Sequence, residues 1–119
     1  MANDRIALGS AGEDAAVRWY EERGYRVVAR NWRCRIGELD LVVARDDLLV
    51  ICEVKTRAGP AFGGGYEAVT AKKQAKLRAV AEAFLGATKV RPNSIRFDVA
   101  SVDSASLSRA KIEVFEDAF

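Results

Sequence analysis

The chain predicts a single α/β domain, a mixed central β-sheet flanked by α-helices. Three observations lead there. The patterning runs helix, three strands, helix, two strands. The middle strands are apolar on both faces, as a sheet covered on both sides requires. And 119 residues, half of them apolar and 30% charged, suit one domain with a real core. No internal repeat, low-complexity tract or interdomain linker divides it.

"SAGEDAAVRWYEERG" (residues 10–24) reads as the first helix. Ser10 suits its N-cap, Glu13 follows three residues later as in a capping box, and Gly24 can end it. "YRVVARNWR" reads as the first strand. "GELDLVVARDDLLVICEVKTR" (residues 37–57) holds two more strands around a tight turn at Asp46-Asp47. "RAGPAFGGGY" is loop, since one proline and four glycines forbid a regular element. It does not match a phosphate-cradling P-loop and reads as a flexible loop without catalytic residues. A long helix runs from about Ala68 to Leu85, with Thr70 as a cap and Leu77, Val80, Ala81, Phe84 and Leu85 on one stripe. "SIRFDVASV" and "KIEVF" close the chain as short strands. Trp19, Tyr20, Phe84 and Phe97 fit packing positions, Cys52 fits the core, and Arg96 and Asp98 share a strand face on which they can pair.

Composition removes several chemistries. No apolar run approaches the ~20 residues of a membrane span. The N-terminus "MANDRIALGS" carries an acid and lacks the apolar stretch of a secretory signal. Cys34 and Cys52 are the only cysteines, and two free thiols in a cytoplasmic protein are the expectation. With no histidine in the chain, a Ser-His-Asp or Cys-His site is impossible, and a bound metal would take oxygen ligands, favouring magnesium or manganese. A net charge of +2 means that any nucleic-acid surface is a local patch.

The hairpin carries the unusual chemistry. A two-residue loop at Asp46-Asp47 sets Leu41 opposite Cys52, Asp40 opposite Glu53 and Glu38 opposite Lys55. Glu38 and Asp40 then share one face with Glu53, Lys55 and Arg57. Opposed side chains on a sheet have Cβ atoms about 4.5–5.5 Å apart. Two carboxylates ~4 Å apart repel by roughly 4 kcal/mol at an effective dielectric of 20. Such a pair among core residues needs a cation or a shared proton. An ion cluster, Glu38 and Glu53 with Lys55 and Arg57, would serve structurally. A divalent cation held by the acids would instead suit phosphodiester hydrolysis, with lysine positioning water or stabilising negative charge.

Asp40 and then "EVK" at Glu53-Val54-Lys55 resemble the D…(D/E)xK motif of restriction-endonuclease-like nucleases. More closely, the chain resembles the YraN-like family of small bacterial proteins, over nearly its whole length: "GEDAA", "GYRVVARNWR", "GELDLV", "EVKTR", "KKQAKL", "RFDVASV" and the closing "DAF". It is also similar to archaeal Holliday-junction resolvases. The resemblance implies a restriction-endonuclease-like core. It implies Asp40 and Glu53 as metal ligands with the Val54 carbonyl as a third, Lys55 as catalytic lysine, and Glu13 as an additional acid near the metal. Leu39 stands where the general motif often has proline, a backbone-shaping position rather than a ligand.

Glu13 thus has two readings, cap and site. So do Lys72, Lys73, Lys76 and Arg78, with Gln74 among them, in the first half of the long helix: phosphate contacts or a solvated face. Cations there oppose the macrodipole by a few tenths of a kcal/mol each, which phosphate binding would explain; a solvated face would too. Lys73 and Gln74 extend the apolar stripe backward, toward the acids. The resulting expectation is a nuclease of nucleic acid dependent on Mg2+ or Mn2+, with DNA, branched or damaged forms included, as substrate, and a size compatible with a homodimer. The alternatives are a non-cleaving nucleic-acid-binding module and an adaptor for DNA processing.

Overall fold

In the computed structural model the elements follow the order α1 (Ala2–Glu21), β1 (Arg26–Arg33), β2 (Glu38–Arg45), β3 (Leu48–Arg57), α2 (Ala71–Ala87), β4 (Ser94–Asp103) and β5 (Lys111–Phe115). It describes residues 2–57, 69–103 and 111–119, with the backbone alone for residues 2–10 and 57. The glycine-rich loop beyond residue 57 lies outside the described residues.

The strands lie in sequence order in one sheet. Neighbours are antiparallel except β3 and β4, which the α2 crossover makes parallel. The sheet is therefore mixed, as expected. Asp46 adopts φ 53°, the left-handed backbone that the first position of a tight hairpin loop can require. The expected register follows from Arg45 opposite Leu48 to Leu41 opposite Cys52.

Alternation along the strands builds two cores. Val42, Ala44, Leu49 and Ile51 pack beneath Leu77, Val80, Ala81 and Phe84 of α2. Leu41, Val43, Val50 and Cys52 pack beneath Ala16 and Tyr20 of α1. Both faces are covered, which is why β2 and β3 are apolar throughout.

The first helix begins at Ala2, not at Ser10. Ser10 therefore lies inside the helix and cannot be its N-cap, which removes the capping-box reading of Glu13. One serine and a neighbouring glycine cost a helix only about 1 kcal/mol and do not stop it. Its C-terminus does end as expected. Gly24, at φ 87°, lets its own N–H reach Glu21 O (3.1 Å) while Tyr25 N–H reaches Tyr20 O (3.1 Å). The Tyr20 and Tyr25 rings then meet edge to face at 5.1 Å, completing a Schellman close. Thr70 caps α2, its Oγ1 accepting from Lys73 N–H at 3.1 Å; the helix starts at Ala71, three residues later than expected.

Asp98 is fully buried and fully satisfied. It accepts from Tyr20 Oη (2.7 Å), Arg96 Nε (2.8 Å) and Nη2 (2.9 Å), and Asp117 N–H (3.0 Å). The pairing raises the Arg96 guanidinium further above its ordinary value, and burial raises the Tyr20 phenol. This cluster joins α1, β4 and the C-terminal tail. No described helix is long and apolar enough to cross a membrane.

Candidate functional site

The hydrogen-bonded ladder between β2 and β3 ends at Leu41 and Cys52, one residue before the acids. Asp40 and Glu53 are thus not a ladder pair, nor are Glu38 and Lys55, contrary to the register expected from the turn. The cause is local. Asp40 Oδ2 accepts the Val54 N–H at 2.9 Å, so a side-chain carboxylate takes the place of a backbone carbonyl. Beyond that point β3 continues against β4, while β2 continues only against β1.

The parting strands open a cavity of about 280 Å³ lined by Glu38, Asp40, Glu53, Lys73, Lys76, Leu77 and Val80. The two acids remain neighbours across it. Burial first, and the Glu53 carboxyl second, push the Asp40 carboxyl up to about 7, against the Val54 hydrogen bond and Lys73, which pull it down. The Lys73 Nζ stands 3.5 Å from Glu53 Oε2. That ammonium is half exposed (51%), so the pair contributes at most about 1 kcal/mol and holds Glu53 weakly. Glu38 is drawn sideways to its cross-strand partner, Arg33 Nε, at 3.0 Å.

The sheet is also irregular beside Asp40. Between the pairs Arg30–Leu41 and Trp32–Leu39, Asn31 takes φ 52° and turns its Nδ2 to Glu13 Oε1 at 2.9 Å. Arg30 Nη2 approaches the same Glu13 at 3.5 Å and Asp14 at 2.8 Å. Glu13 therefore reaches the level of Asp40 from the α1 side but does not line the cavity.

The expected site residues thus divide. Asp40, Glu53, Lys73 and Lys76 come together around one cavity. Lys55 is half-buried two residues beyond Glu53 on the same strand, outside the cavity lining, and forms no ion pair among the described residues. The Val54 N–H serves Asp40. Gln74 is committed elsewhere, its Nε2 donating to Val69 O at 2.8 Å. Lys72 is exposed on the first turn of α2. Asn31 and Arg30 were not anticipated. The one available signal was an asparagine inside a run of strand formers, where it is disfavoured unless the backbone turns left-handed.

Among the described residues no three of His, Cys, Asp and Glu converge, so the protein offers two carboxylates rather than a closed metal cage. That set still fits magnesium or manganese. Such ions bind through one or two carboxylates and complete their shell with water and phosphate oxygens. It does not fit structural zinc, which needs four protein ligands.

Comparisons with known proteins agree on one family. The model of "Uncharacterised protein family UPF0102" matches residues 12–102, a span that contains every residue lining the cavity. A UPF0102 protein of Parafrankia sp. (strain EAN1pec) is 44% identical over 112 residues, covering 94% of this chain and 95% of that protein. One from Pelotomaculum thermopropionicum is 42% identical over 120 residues, with both chains covered in full. A third, from Beutenbergia cavernae, is 45% identical over 107 residues, 90% of this chain and 91% of its own. The chain therefore belongs to UPF0102, the YraN-like family that its motifs resemble.

Proposed function

We propose that this protein is a divalent-metal-dependent nuclease that hydrolyses phosphodiester bonds in DNA. The observation that carries the reading is the pairing of Asp40 and Glu53 in the opening between β2 and β3, with two α2 lysines on the same cavity. Magnesium or manganese held by these carboxylates would supply positive charge at the scissile phosphate. Lys73 and Lys76 attract the phosphate, and the nearby N-terminal turn of α2 favours negative charge in the same place. Lys55, on the strand beyond Glu53, donates hydrogen bonds to water or to a phosphate oxygen. Glu13, steadied by Asn31, supports the site from the α1 side. We further propose a homodimer, because one small chain has little surface with which to grip a duplex, and a cytoplasmic setting, consistent with free Cys34 and Cys52.

The test incubates the protein with end-labelled linear, flapped and four-way-junction DNA in magnesium or manganese. Cleavage is expected, and it should fall at least a hundredfold in Glu53→Ala and Lys55→Ala and vanish with chelator. A second reading rests on the Lys73–Glu53 pair, which gives the acids an internal counter-charge. With that internal counter-charge, a non-cleaving nucleic-acid-binding module would need no metal at the acids. It predicts salt-dependent binding without cleavage, with Glu53→Ala binding as well as wild type.

A further inference from the structure

Directly beside the carboxylate cavity lies a second, shallow and apolar groove of about 570 Å³, lined by Cys34, Arg35, Ile36 and Ala83. Ile36 is 48% exposed, the more exposed of two large apolar side chains at the described surface. Its neighbours do not explain that exposure. It sits in the β1–β2 loop between the exposed Arg35 and the half-buried Gly37.

The two hollows are neighbours, lined by Ile36 and Glu38 on the two sides of Gly37. Gly37 lies so close to α2 that an added Cβ would stand 2.9 Å from Lys76 Cε and 3.3 Å from Val80 Cγ2. Lys76 and Val80 line the carboxylate cavity, and Ala83, one turn further along α2, lines the groove. Positions 73, 76, 80 and 83 therefore form one stripe that runs from the acids to Ile36. At 1.5 Å rise per residue, Lys76 and Ala83 are ~10 Å apart along the helix axis. That is about three stacked nucleotides at 3.4 Å each, and fewer in an extended strand.

We infer that the groove of Cys34, Ile36 and Ala83 receives an unstacked nucleobase of the strand whose phosphate lies over Lys73 and Lys76. This inference rests on the proposed nucleic-acid reading of the neighbouring cavity. Charge and polarity favour a nucleobase as the occupant. An apolar surface accepts a base face, Arg35 on the groove's own lining meets a flanking phosphate, and Lys73 and Lys76 on the same helix stripe lie at a site already suited to phosphate. An aliphatic side chain at such a place also acts as a wedge between base steps. A strand with unpaired bases next to the cut, such as a flap or junction arm, follows as the preferred substrate class.

The test measures binding, without cleavage, in chelator. Fluorescein-labelled flapped duplexes are compared in which each flap nucleotide in turn is abasic. For wild type, one position should weaken binding roughly tenfold when its base is missing, the size of one base–side-chain stacking contact. Ile36→Ser, an exposed change that leaves the core alone, should bind the intact flap roughly tenfold more weakly and that abasic flap as wild type does. Binding indifferent to every missing base, or a base dependence that persists in Ile36→Ser, overturns the inference while leaving the nuclease reading intact. Failure to bind any flapped, junction or single-stranded DNA overturns both.

Discussion

At Asp40 opposing forces meet on one carboxyl group. The Val54 N–H favours its charged form, while burial and the adjacent Glu53 carboxyl favour the neutral one and prevail, leaving it near 7 instead of 3.8. Between those values the folded protein holds a proton that the unfolded chain has released. Stability from this group is therefore present below about pH 4, declines as pH rises, and is gone above about 7. Asp40→Asn cannot titrate, so its stability should not share that decline. The two proteins should diverge by at most about 4 kcal/mol between pH 4 and 8, at 1.36 kcal/mol per unit. Urea unfolding across that range checks it, and parallel profiles would refute the assignment. Manganese added at pH 8 should restore stability to wild type and not to Asp40→Asn.

Asp40 also marks where sequence reasoning stopped. The turn at Asp46-Asp47 sets the register as far as Leu41 and Cys52, because ladder pairing propagates from a hairpin. Nothing local announces that a carboxylate will take the next backbone donor. The left-handed turn at Asn31 is equally hidden, since its partner Glu13 lies 18 residues earlier on another element.

At the scale of elements, hydrophobic period and turn residues made all seven elements legible in order, because each strand and helix buries its own apolar face. The start of α1 was not, since "SAGE" imitates a cap that the backbone passes through. That helix meets the sheet at Gly12, where an added Cβ would collide with the Thr56 hydroxyl and crowd its Cβ at 3.2 Å. Thr56 is β-branched, so rotation brings its methyl into the same space. Gly12→Ala should therefore lower stability by about 1 kcal/mol, the overpacking cost exceeding the helix-propensity gain. In a Thr56→Ala background the same change should instead stabilise, by up to about 1 kcal/mol. Denaturant midpoints of the four proteins give the answer; the same sign in both backgrounds would show that α1 does not sit this close to β3.

At the scale of the whole molecule, Asp98 is the tie between distant parts of the chain. Its donors come from α1, from β4 and from the C-terminal tail, and Tyr20 is 78 residues away in sequence. Removing the carboxylate strands the Arg96 guanidinium, only 18% exposed, without its main partner. Breaking one side of a buried pair costs about 3–5 kcal/mol. Asp98→Ala should accordingly lower the thermal midpoint by ~10 °C or more. A shift of a degree or two would mean that Glu116, 3.2 Å from Arg96, compensates on its own.

The irregular backbone of β1 reaches beyond the site it adjoins. Among the described residues β1 is an outer strand of the sheet, paired on one side only, with β2. Straight outer strands are templates on which further chains add, the first step toward fibrils. Here the register slips between Val27 and Ala29, and four residues after Val27 the chain turns left-handed at Asn31. A second chain laid along it would lose its hydrogen bonds at both places. The distortion beside Asp40 thus also guards an edge of the sheet, giving the folded protein resistance to polymerisation along β1.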